Sequence, residues 1–342
     1  MPVEGRRVSL PYRGPCYDII GDVHGCATKL VGLLAKLGYR KESAGVYRHS
    51  ERTAVFVGDL IDRGPEQLEV LQLVKAMVDA GSAQIVMGNH EFNAVAWATT
   101  HPETGEPLRP HTEHNKAQHI EFLTQVTPGQ QAHYIDWFKS LPLWLDLGDI
   151  RVVHACWHPG SMDAVRAATN GSDRLSTVAH FVEATREGSE LYEAVEVLLK
   201  GPEIHLPDHG MLPYWDHEAG KERRKARIRW WDHEAASLPG LAELRGAKFE
   251  NRDPYPIYEP RDVDPKYLSF VYQDTVPLFY GHYWREWEPV HRDDWTAYTA
   301  CVDFSAFRAG AMVAYRWNGE PQIRWENYTP HDSRVVAPTP SE

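Results

Sequence analysis

The stretch Gly58-Asp59-Leu60-Ile61-Asp62-Arg63-Gly64 places two carboxylates and an arginine on one glycine-bounded turn. The apolar run from Thr53 to Val57 predicts a strand before this turn, and the helical spacing of apolar residues after Pro65 predicts a helix behind it. In an α/β sheet such a turn lies at the carboxyl end of a strand, where ligands bind. A carboxylate there can bridge two metal ions, and an arginine can hold a phosphate through paired hydrogen bonds. Taken alone, the same residues also fit a surface turn with an ordinary Asp–Arg pair.

A second segment, nearer the N-terminus, has the same order of strand, polar turn and helix. Tyr17 to Ile20 predicts a short buried strand, and leucines with helical spacing follow it as far as Gly38. Asp22 and His24 lie on the turn between them. Because side chains alternate along an extended chain, the two can point to the same side, and both are ligands for divalent metals. The alternative is that Asp22 caps the helix and His24 is an ordinary polar residue.

A third segment repeats the plan at Gly88-Asn89-His90-Glu91, after a short strand predicted from Gln84 to Met87. The side-chain oxygen of Asn89 suits a metal ion that prefers hard ligands. Its neighbour His90 points away, which leaves His90 available as a proton donor. The alternative is that Asn89 shapes the turn and His90 is simply exposed.

Two later predicted strands also end in histidine. Ile150 to Val153, the second strand of a predicted hairpin, leads into His154, and Pro277 to Tyr280 leads through glycine into His282. With the three earlier turns, these endings make five places where a ligand residue follows a strand.

Between His154 and His282 the chain changes character, from Gly160 to about Val276. Its strongly basic stretch runs from Lys221 to Arg229. Such a run usually forms a solvated surface, and the alternative is a positively charged lip over a phosphate site.

The composition restricts the class of protein. The chain has 342 residues, 42% of them hydrophobic, which is enough for a large core. Its 48 acidic and 36 basic residues give a net charge of −12, which argues against general binding of duplex nucleic acid. The four cysteines form no C-x-x-C pair, and neither a signal peptide nor an apolar run of about 20 residues is evident. We therefore expect a cytoplasmic protein without a membrane span.

Taken in order, the five turns resemble those of the metallophosphoesterases, most closely the phosphoprotein-phosphatase branch, which also contains bacterial diadenosine tetraphosphate hydrolases. Asp62-Arg63-Gly64 and the Glu91 that follows Asn89 and His90 mark this branch. The resemblance covers about Tyr17 to His154 and Pro277 to Trp317.

The resemblance implies a fold of the α+β or α/β class, a β-sandwich flanked by helices. We expect a single domain over residues 1–330, with an insert at about 160–276 between the last two metal histidines and a frayed tail at 331–342.

The resemblance also implies a centre with two divalent metal ions. Asp59 would bridge both ions, and the remaining ligands would be Asp22, His24, Asn89, His154 and His282. This mixed set of oxygen and nitrogen ligands suits manganese, iron or zinc without choosing among them, and manganese is our first choice.

By the same resemblance, a hydroxide that bridges the two ions attacks phosphorus in line. Arg63 would hold the phosphoryl oxygens, and His90 would protonate the leaving oxygen. Asp62 would orient His90 and favour its protonated form.

The sequence departs from the wider family after His282, where Tyr283 and Trp284 stand and no His-x-His pair occurs. The phosphoprotein-phosphatase branch usually has a second phosphate-binding arginine before its last metal histidine. Arg227 and Arg229 are candidates by position, and we expect Arg229 to take this role.

Two late runs, Tyr298 to Phe304 and Ala311 to Trp317, predict a pair of strands. Asp303 lies on the first of them. It could support a metal-binding histidine from behind, or it could be an ordinary polar residue of the strand.

The sequence thus predicts a metal-dependent phosphoesterase, most directly a serine/threonine or tyrosine protein phosphatase. The alternative substrate is a dinucleoside polyphosphate, another nucleotide or an RNA end, and the basic stretch favours a substrate with several phosphates. A third hypothesis is a metal-bound scaffold that binds phosphorylated partners without turnover. The presence of Arg63, His90 and Asp62 argues against it.

Overall fold

The structure, a computed structural model, describes residues 14–42, 45–217, 220–235, 237–287, 295–308 and 310–331. The tail predicted at 331–342 lies outside the described residues, apart from His331, which ends the last strand. Within the described residues, no helix combines the length and the apolar character needed to cross a bilayer.

Strands and helices are numbered in chain order. The strands are β1 (Cys16–Ile20), β2 (Arg40–Lys41), β3 (Tyr47–Arg48), β4 (Arg52–Phe56), β5 (Ala83–Ile85), β6 (Trp144–Asp146), β7 (Arg151–Val153), β8 (Glu203–His205), β9 (Tyr214–Asp216), β10 (Lys221–Arg223), β11 (Lys225–Arg227), β12 (Leu278–Tyr280), β13 (Thr299–Cys301), β14 (Met312–Trp317) and β15 (Tyr328–His331). The helices are α1 (Ala27–Leu37), α2 (Gln67–Asp79), α3 (Asn89–Ala98), α4 (Glu113–Gln125), α5 (Pro128–Phe138), α6 (Pro159–Ala168), α7 (Val178–Thr185), α8 (Glu190–Lys200), α9 (Leu238–Leu241) and α10 (Pro265–Leu268).

The predicted order of strand, turn and helix is confirmed at the first three turns, as β1–α1, β4–α2 and β5–α3. Helix α1 ends at Gly38, whose φ of 94° is the left-handed conformation that glycine adopts at helix ends. The predicted hairpin is also present, because β6 and β7 pair antiparallel.

The first sheet has the strand order β15-β14-β1-β4-β5. Strands β1, β4 and β5 run parallel, so their carboxyl ends share one edge of the sheet. This edge carries the turns that contain Asp22, Asp59 and Asn89.

The second sheet has the order β13-β12-β7-β6, with β12 parallel to both β7 and β13. The predicted pairing of the two late runs is therefore wrong. β13 pairs with β12 in this sheet, whereas β14 pairs with β1 in the first sheet. The chain crosses from one sheet to the other between them.

The two sheets pack face to face around a buried apolar layer, which confirms the predicted sandwich of a mixed α/β fold. Ile19 and Val55 of the first sheet and Val152 and Phe279 of the second belong to one cluster of fully buried side chains. Ile20 belongs to a second cluster that includes helical residues. Strand β1 therefore contributes to two cores through alternating side chains.

The segment after His154 packs against the second sheet. Trp230 and Trp231 are buried, and their ring centroids lie 4.8 and 5.6 Å from that of Tyr280 in β12. The basic stretch that precedes them forms β10 and β11, which pair with β9 and β8.

A buried ion cluster ties three strands of the first sheet together. Asp18 of β1 is fully buried and accepts hydrogen bonds from Nε of Arg52 in β4, at 2.9 Å, and Nε of Arg316 in β14, at 3.1 Å. Arg52 also donates to the carbonyl oxygens of Tyr17 and Trp317.

We expect Asp18→Ala to lower the free energy of unfolding by about 3–5 kcal/mol, because it leaves the buried Arg52 charge without its partner. Urea unfolding of the variant measures this loss. The control is Asp79→Ala, which breaks the exposed Lys75–Asp79 pair and should cost less than about 1 kcal/mol. If both variants lost the same free energy of unfolding, the buried cluster would stabilise the fold no more than an exposed ion pair does.

Candidate metal centre

The polar turns at the strand ends have a strained backbone. Left-handed φ values occur at His24 (44°), Asp59 (51°), Asp62 (69°), Arg63 (69°) and His282 (71°). Each such conformation costs on the order of 1–3 kcal/mol in a residue other than glycine, and residues of this kind cluster at functional sites. The flanking strands hold these turns in place.

Two glycines allow the turns to approach one another. A Cβ atom at Gly88 would lie 2.2 Å from Oδ1 of Asp59, and one at Gly281 would lie 2.1 Å from Oδ1 of Asp22. Any larger residue would displace a carboxylate that the sequence predicts as a metal ligand.

The first group of possible ligand atoms joins the turns after β1 and β4. Nε2 of His24 lies 3.7 Å from Oδ2 of Asp59. Nδ1 of His24 lies 2.9 Å from the carbonyl oxygen of Ile61. A proton on Nδ1 donated to this carbonyl leaves Nε2 with a lone pair for a metal ion.

The second group shares Asp59 with the first. Nε2 of His154 lies 3.5 Å from Oδ2 of Asp59 and 3.0 Å from Oδ1 of Asn89. The same Asn89 oxygen lies 2.9 Å from Nδ1 of His282. Nδ1 of His154 lies 2.7 Å from the carbonyl oxygen of Val57, so its Nε2 also faces the cluster.

The structure thus brings all six predicted metal ligands to one place. Donor atoms of Asp59, His154 and His282 lie within 4.8 Å of one another, and so do those of Asp59, His24 and His90. Asp22 accepts the backbone N–H of His282 at 3.1 Å.

Two atoms at the centre lack any hydrogen-bond partner although they are buried, namely Oδ1 of Asp22 and Nε2 of His24. Burial and the carboxylates of Asp303 and Asp59 raise the pKa of Asp22 well above its usual value. Burial lowers the pKa of His24 to about 3, so its imidazole is neutral. An unpaired carboxylate oxygen and a neutral imidazole suit a divalent cation, and these residues therefore fit the two metal ions that the family resemblance implies.

Glu91 supports the backbone of the turn that contains Asp59. Its carboxylate is fully buried and accepts the backbone N–H groups of Asp59, Leu60 and Gly88 at 2.8–2.9 Å. Sequence reasoning used Glu91 only as a mark of the family branch. The structure shows that Glu91 fixes the backbone of the residue predicted to bridge the metals.

His90 and Asp62 form a direct pair beside the first group. Nδ1 of His90 lies 2.5 Å from Oδ2 of Asp62, and Nε2 of His90 lies 3.9 Å from Oδ2 of Asp59. Burial lowers the pKa of His90, but the charges of Asp59 and Asp62 outweigh this, and the pKa lies above its usual value. The neighbouring carboxylates thus favour the cationic form of His90.

The sequence analysis did not identify His119, which contacts the second carboxylate oxygen of Asp62. Nδ1 of His119, in α4, lies 2.7 Å from Oδ1 of Asp62, and its ring stacks on Phe122. Burial would raise the pKa of Asp62, but the hydrogen bonds from His119 and His90 lower it to about 2. The sequence carries no signal for this contact, because His119 and Asp62 are 57 residues apart.

Arg63 is held by aromatic rings. Its guanidinium carbon lies 4.0 Å from the ring centroid of Trp284 and 4.8 Å from that of Phe307. Nε of Arg63 is buried and has no hydrogen-bond partner. The stacking fixes the plane of the guanidinium group and leaves its N–H edge for another acceptor.

The role predicted for Arg229 stays a prediction. Arg229 forms ion pairs with Asp232 at 2.8 Å and with Glu243 at 3.7 Å, and a bound phosphate would compete with these carboxylates. The charge of Arg227 also acts on the metal cluster, since burial lowers the pKa of His282 and the charge of Arg227 lowers it further.

Asp303 supports backbone rather than a ligand imidazole. Its carboxylate accepts the N–H of Trp284 at 2.8 Å and that of Ser305 at 3.0 Å. It thereby fixes the turn that follows His282.

We expect Glu91→Gln to weaken manganese binding by about 10–100-fold, because an amide NH₂ would face backbone N–H groups that now donate to a carboxylate. Isothermal titration with Mn²⁺ measures this. Glu121→Gln, on the partly buried face of α4, serves as a control that should leave the affinity unchanged. Wild-type affinity in Glu91→Gln would contradict the supporting role of Glu91.

We expect His119→Ala to lower the free energy of unfolding by about 1–3 kcal/mol, because one Asp62 oxygen would stay buried without a donor. Thermal unfolding at neutral pH measures the loss. His119→Asn, which restores a donor, should recover part of it. If alanine and asparagine behaved alike, the hydrogen bond to Asp62 would not be the cause.

Comparison with known proteins places this geometry in a wider context. A family model described as calcineurin-like phosphoesterase matches residues 17–231, more than half of the chain. A bis(5'-nucleosyl)-tetraphosphatase PrpE [asymmetrical] of Bacillus subtilis is 47% identical over 144 residues, which are 41% of this chain and 57% of that protein. A symmetrical bis(5'-nucleosyl)-tetraphosphatase of Neisseria meningitidis is 30% identical over 138 residues, 40% of this chain and 41% of that protein.

The chain spans about half the length of the curated relatives that it matches. Among solved structures, a cold-active protein-tyrosine phosphatase of a psychrophilic Shewanella species aligns over 93% of this chain and 80% of that chain, with 16% identity and a TM-score of 0.41. So loose a structural overlap carries no argument about activity. The family model, which covers the strand-end turns from Asp22 to His154, shows that this chain belongs to the calcineurin-like phosphoesterase family.

Proposed function

We propose that this chain hydrolyses a phosphoanhydride or phosphoester bond of a nucleotide with the help of two divalent metal ions, and that its substrate is a dinucleoside polyphosphate. One observation supports the chemistry above all others. Two groups of buried ligand atoms share Asp59, and the His90–Asp62 pair and Arg63 lie on turns that contain ligands of these groups.

In this proposal, one group comprises Asp22, His24 and Asp59, and the other comprises Asp59, Asn89, His154 and His282. The bound ions, of which manganese is our first choice, would supply Lewis acidity and an activated water for attack on phosphorus. The protein contributes the spacing of the ligands, the exclusion of bulk water by burial, and the orientation of the His24 and His154 imidazoles through backbone carbonyl oxygens.

His90 is the proton donor in this proposal. Nδ1 of His90 donates its proton to Asp62, and the cationic imidazolium carries a second proton on Nε2, which faces the cluster. Protonation of the leaving oxygen by Nε2 lets a phosphate chain or an alcohol depart without full negative charge. Asp62 holds the imidazole in the same position before and after the proton is transferred. His119 in turn holds Asp62.

Arg63 and Arg227 are the proposed phosphate-binding groups. Arg63 presents a buried, unpaired Nε beside the cluster. Arg227 lies in β11, donates to the carbonyl oxygen of Gly201 at 3.3 Å and pairs loosely with Glu203 at 3.6 Å. Arginine forks on two sides of a phosphoryl group stabilise the charge that develops on its oxygens.

The choice of substrate rests on the relatives. Curated relatives that match about two fifths of this chain carry the name bis(5'-nucleosyl)-tetraphosphatase, in both asymmetrical and symmetrical forms. These names favour the nucleotide alternative over the protein phosphatase that the sequence first suggested. A phosphorylated protein remains the second candidate, because the turn Asp62-Arg63-Gly64 is shared with that branch of the family.

We expect Asp59→Asn to lose metal binding and activity together, because both ligand groups depend on this carboxylate. His90→Asn should keep metal binding and slow turnover by roughly a hundredfold or more, the usual size of an acid–base contribution. Metal content by mass spectrometry and phosphate release, measured on the same samples, separate the two effects. Full activity of Asp59→Asn would overturn the two-metal proposal.

To identify the substrate, manganese-loaded protein is compared on diadenosine tetraphosphate and on a set of phosphopeptides, with His90→Asn and a chelated sample as blanks. We expect a higher kcat/KM for the dinucleotide. Preference for the peptides would replace our proposal by a protein phosphatase. Silence on both substrates with metal bound would favour a non-catalytic scaffold.

A further inference from the structure

Trp284 is a large apolar side chain that the fold leaves at the surface next to the metal ligands. It is 37% exposed, and among the tryptophans of the described residues only Trp325 is more exposed. A single exposed apolar residue is ordinary on a protein surface. What distinguishes Trp284 is its position and the way in which its backbone is held.

The position of Trp284 follows from ring contacts that lead to the cluster. Its ring centroid lies 6.3 Å from that of Phe307, and the ring centroid of Phe307 lies 5.7 Å from that of His24, a predicted metal ligand. The guanidinium carbon of Arg63 lies 4.0 Å from the centroid of the indole. The indole is therefore in direct contact with the arginine that we propose holds phosphate.

Buried groups fix the backbone of Trp284. Its N–H donates to Oδ2 of Asp303 at 2.8 Å, and the next N–H, that of Arg285, donates to the backbone carbonyl oxygen of Asp303 at 3.0 Å. The φ of Trp284 is 48°, a left-handed value that residues other than glycine rarely adopt. Because the surrounding structure holds this conformation, the indole is in place before a ligand binds, and little freedom is lost on binding.

The exposed surface of the indole suits a flat aromatic group. Arg63 and Arg308, whose guanidinium carbon lies 4.9 Å from the ring centroid, both contact the indole, and the 37% exposure is what remains with these contacts in place. A nucleobase gains from stacking on such a surface, and every base has a face that can do so. A further cationic group would instead be repelled by Arg63.

We propose that Trp284 is a stacking platform for a nucleobase of the substrate, whose phosphate chain contacts Arg63. The inference rests on the proposed function and deepens it, because a platform beside the phosphate-binding arginine distinguishes a nucleotide from a bare polyphosphate or a phosphoserine. Trp284 determines specificity in this arrangement. Asp303 is a positioning residue that acts through the backbone of Trp284.

The test compares two ligands that differ by one adenosine and whose P–C–P bridge resists hydrolysis, adenosine 5'-methylenediphosphonate and methylenediphosphonate. Isothermal titration of the manganese-loaded protein, at one concentration of free Mn²⁺, gives a dissociation constant for each. We expect Trp284→Leu to weaken binding of the adenosine ligand about tenfold more than binding of the other, a usual size for base stacking. Because loss of the indole also releases Arg63, only the ratio of the two constants reports on the base.

Two further variants separate stacking from other effects. Trp284→Phe keeps an aromatic face and should retain most of the preference for the adenosine ligand. Trp325→Leu is the matched control, because Trp325 is an exposed tryptophan between β14 and β15. Strand β14 ends at Trp317, which pairs with Tyr17 near the start of β1, so Trp325 lies at the end of the sheet away from the metal turns. The control should leave both dissociation constants unchanged.

Thermal unfolding of each variant shows that it is folded, and Trp284→Met replaces the leucine variant if that protein is unstable. Equal weakening of both ligands in Trp284→Leu, or no weakening of either, would overturn the platform. A phenylalanine variant that behaved like the leucine variant would overturn it as well.

Turnover of diadenosine tetraphosphate by the wild type is a separate measurement, which tests the proposed function. Selective loss of the adenosine ligand in Trp284→Leu without this turnover would keep the platform and reject the dinucleotide as substrate. Turnover without selective loss would keep the proposed function and reject the platform.

Discussion

The constraint on which the rest of the site depends is the burial of several carboxylates in one small volume. Asp22, Asp59, Glu91 and Asp303 are each at most 2% exposed. Buried negative charges destabilise a fold unless donors or cations compensate for them. Glu91 and Asp303 accept backbone N–H groups, and Asp59 is surrounded by imidazoles. Asp22 keeps one oxygen unpaired, so the fold itself leaves a place for positive charge.

The same constraint accounts for the architecture around the cluster. Left-handed turns bring carboxylates and imidazoles inward, where a regular turn would point some of them to solvent. Rigid parallel strands hold these turns, and glycine is required where two turns meet, as at Gly88 and Gly281. The sandwich thus keeps the turns in their strained conformation. The site therefore depends on the apolar packing that stabilises the two sheets.

Local patterns in the sequence were enough to predict the turns and the ligands on them. The spacing of apolar residues and the presence of turn-forming residues are both short-range signals. The meeting of the ligands followed from the shared edge of parallel strands. Contacts made over long distances could not be read in this way. His119, for example, reaches Asp62 from a helix 57 residues further on. The apolar runs of β13 and β14 likewise gave no sign that the two strands belong to different sheets.

The pairing of β1 with β14 has a consequence for folding during synthesis. Asp18 and Arg316, which face each other in this pair, are 298 positions apart. On the ribosome, Asp22 and His24 emerge long before His282, and one edge of β1 stays open until β14 has been made. A nascent chain therefore carries an incomplete metal centre for most of its synthesis. Closure of the first sheet is a late, high-contact-order step, and the cluster is complete only when His282 and β14 have been made.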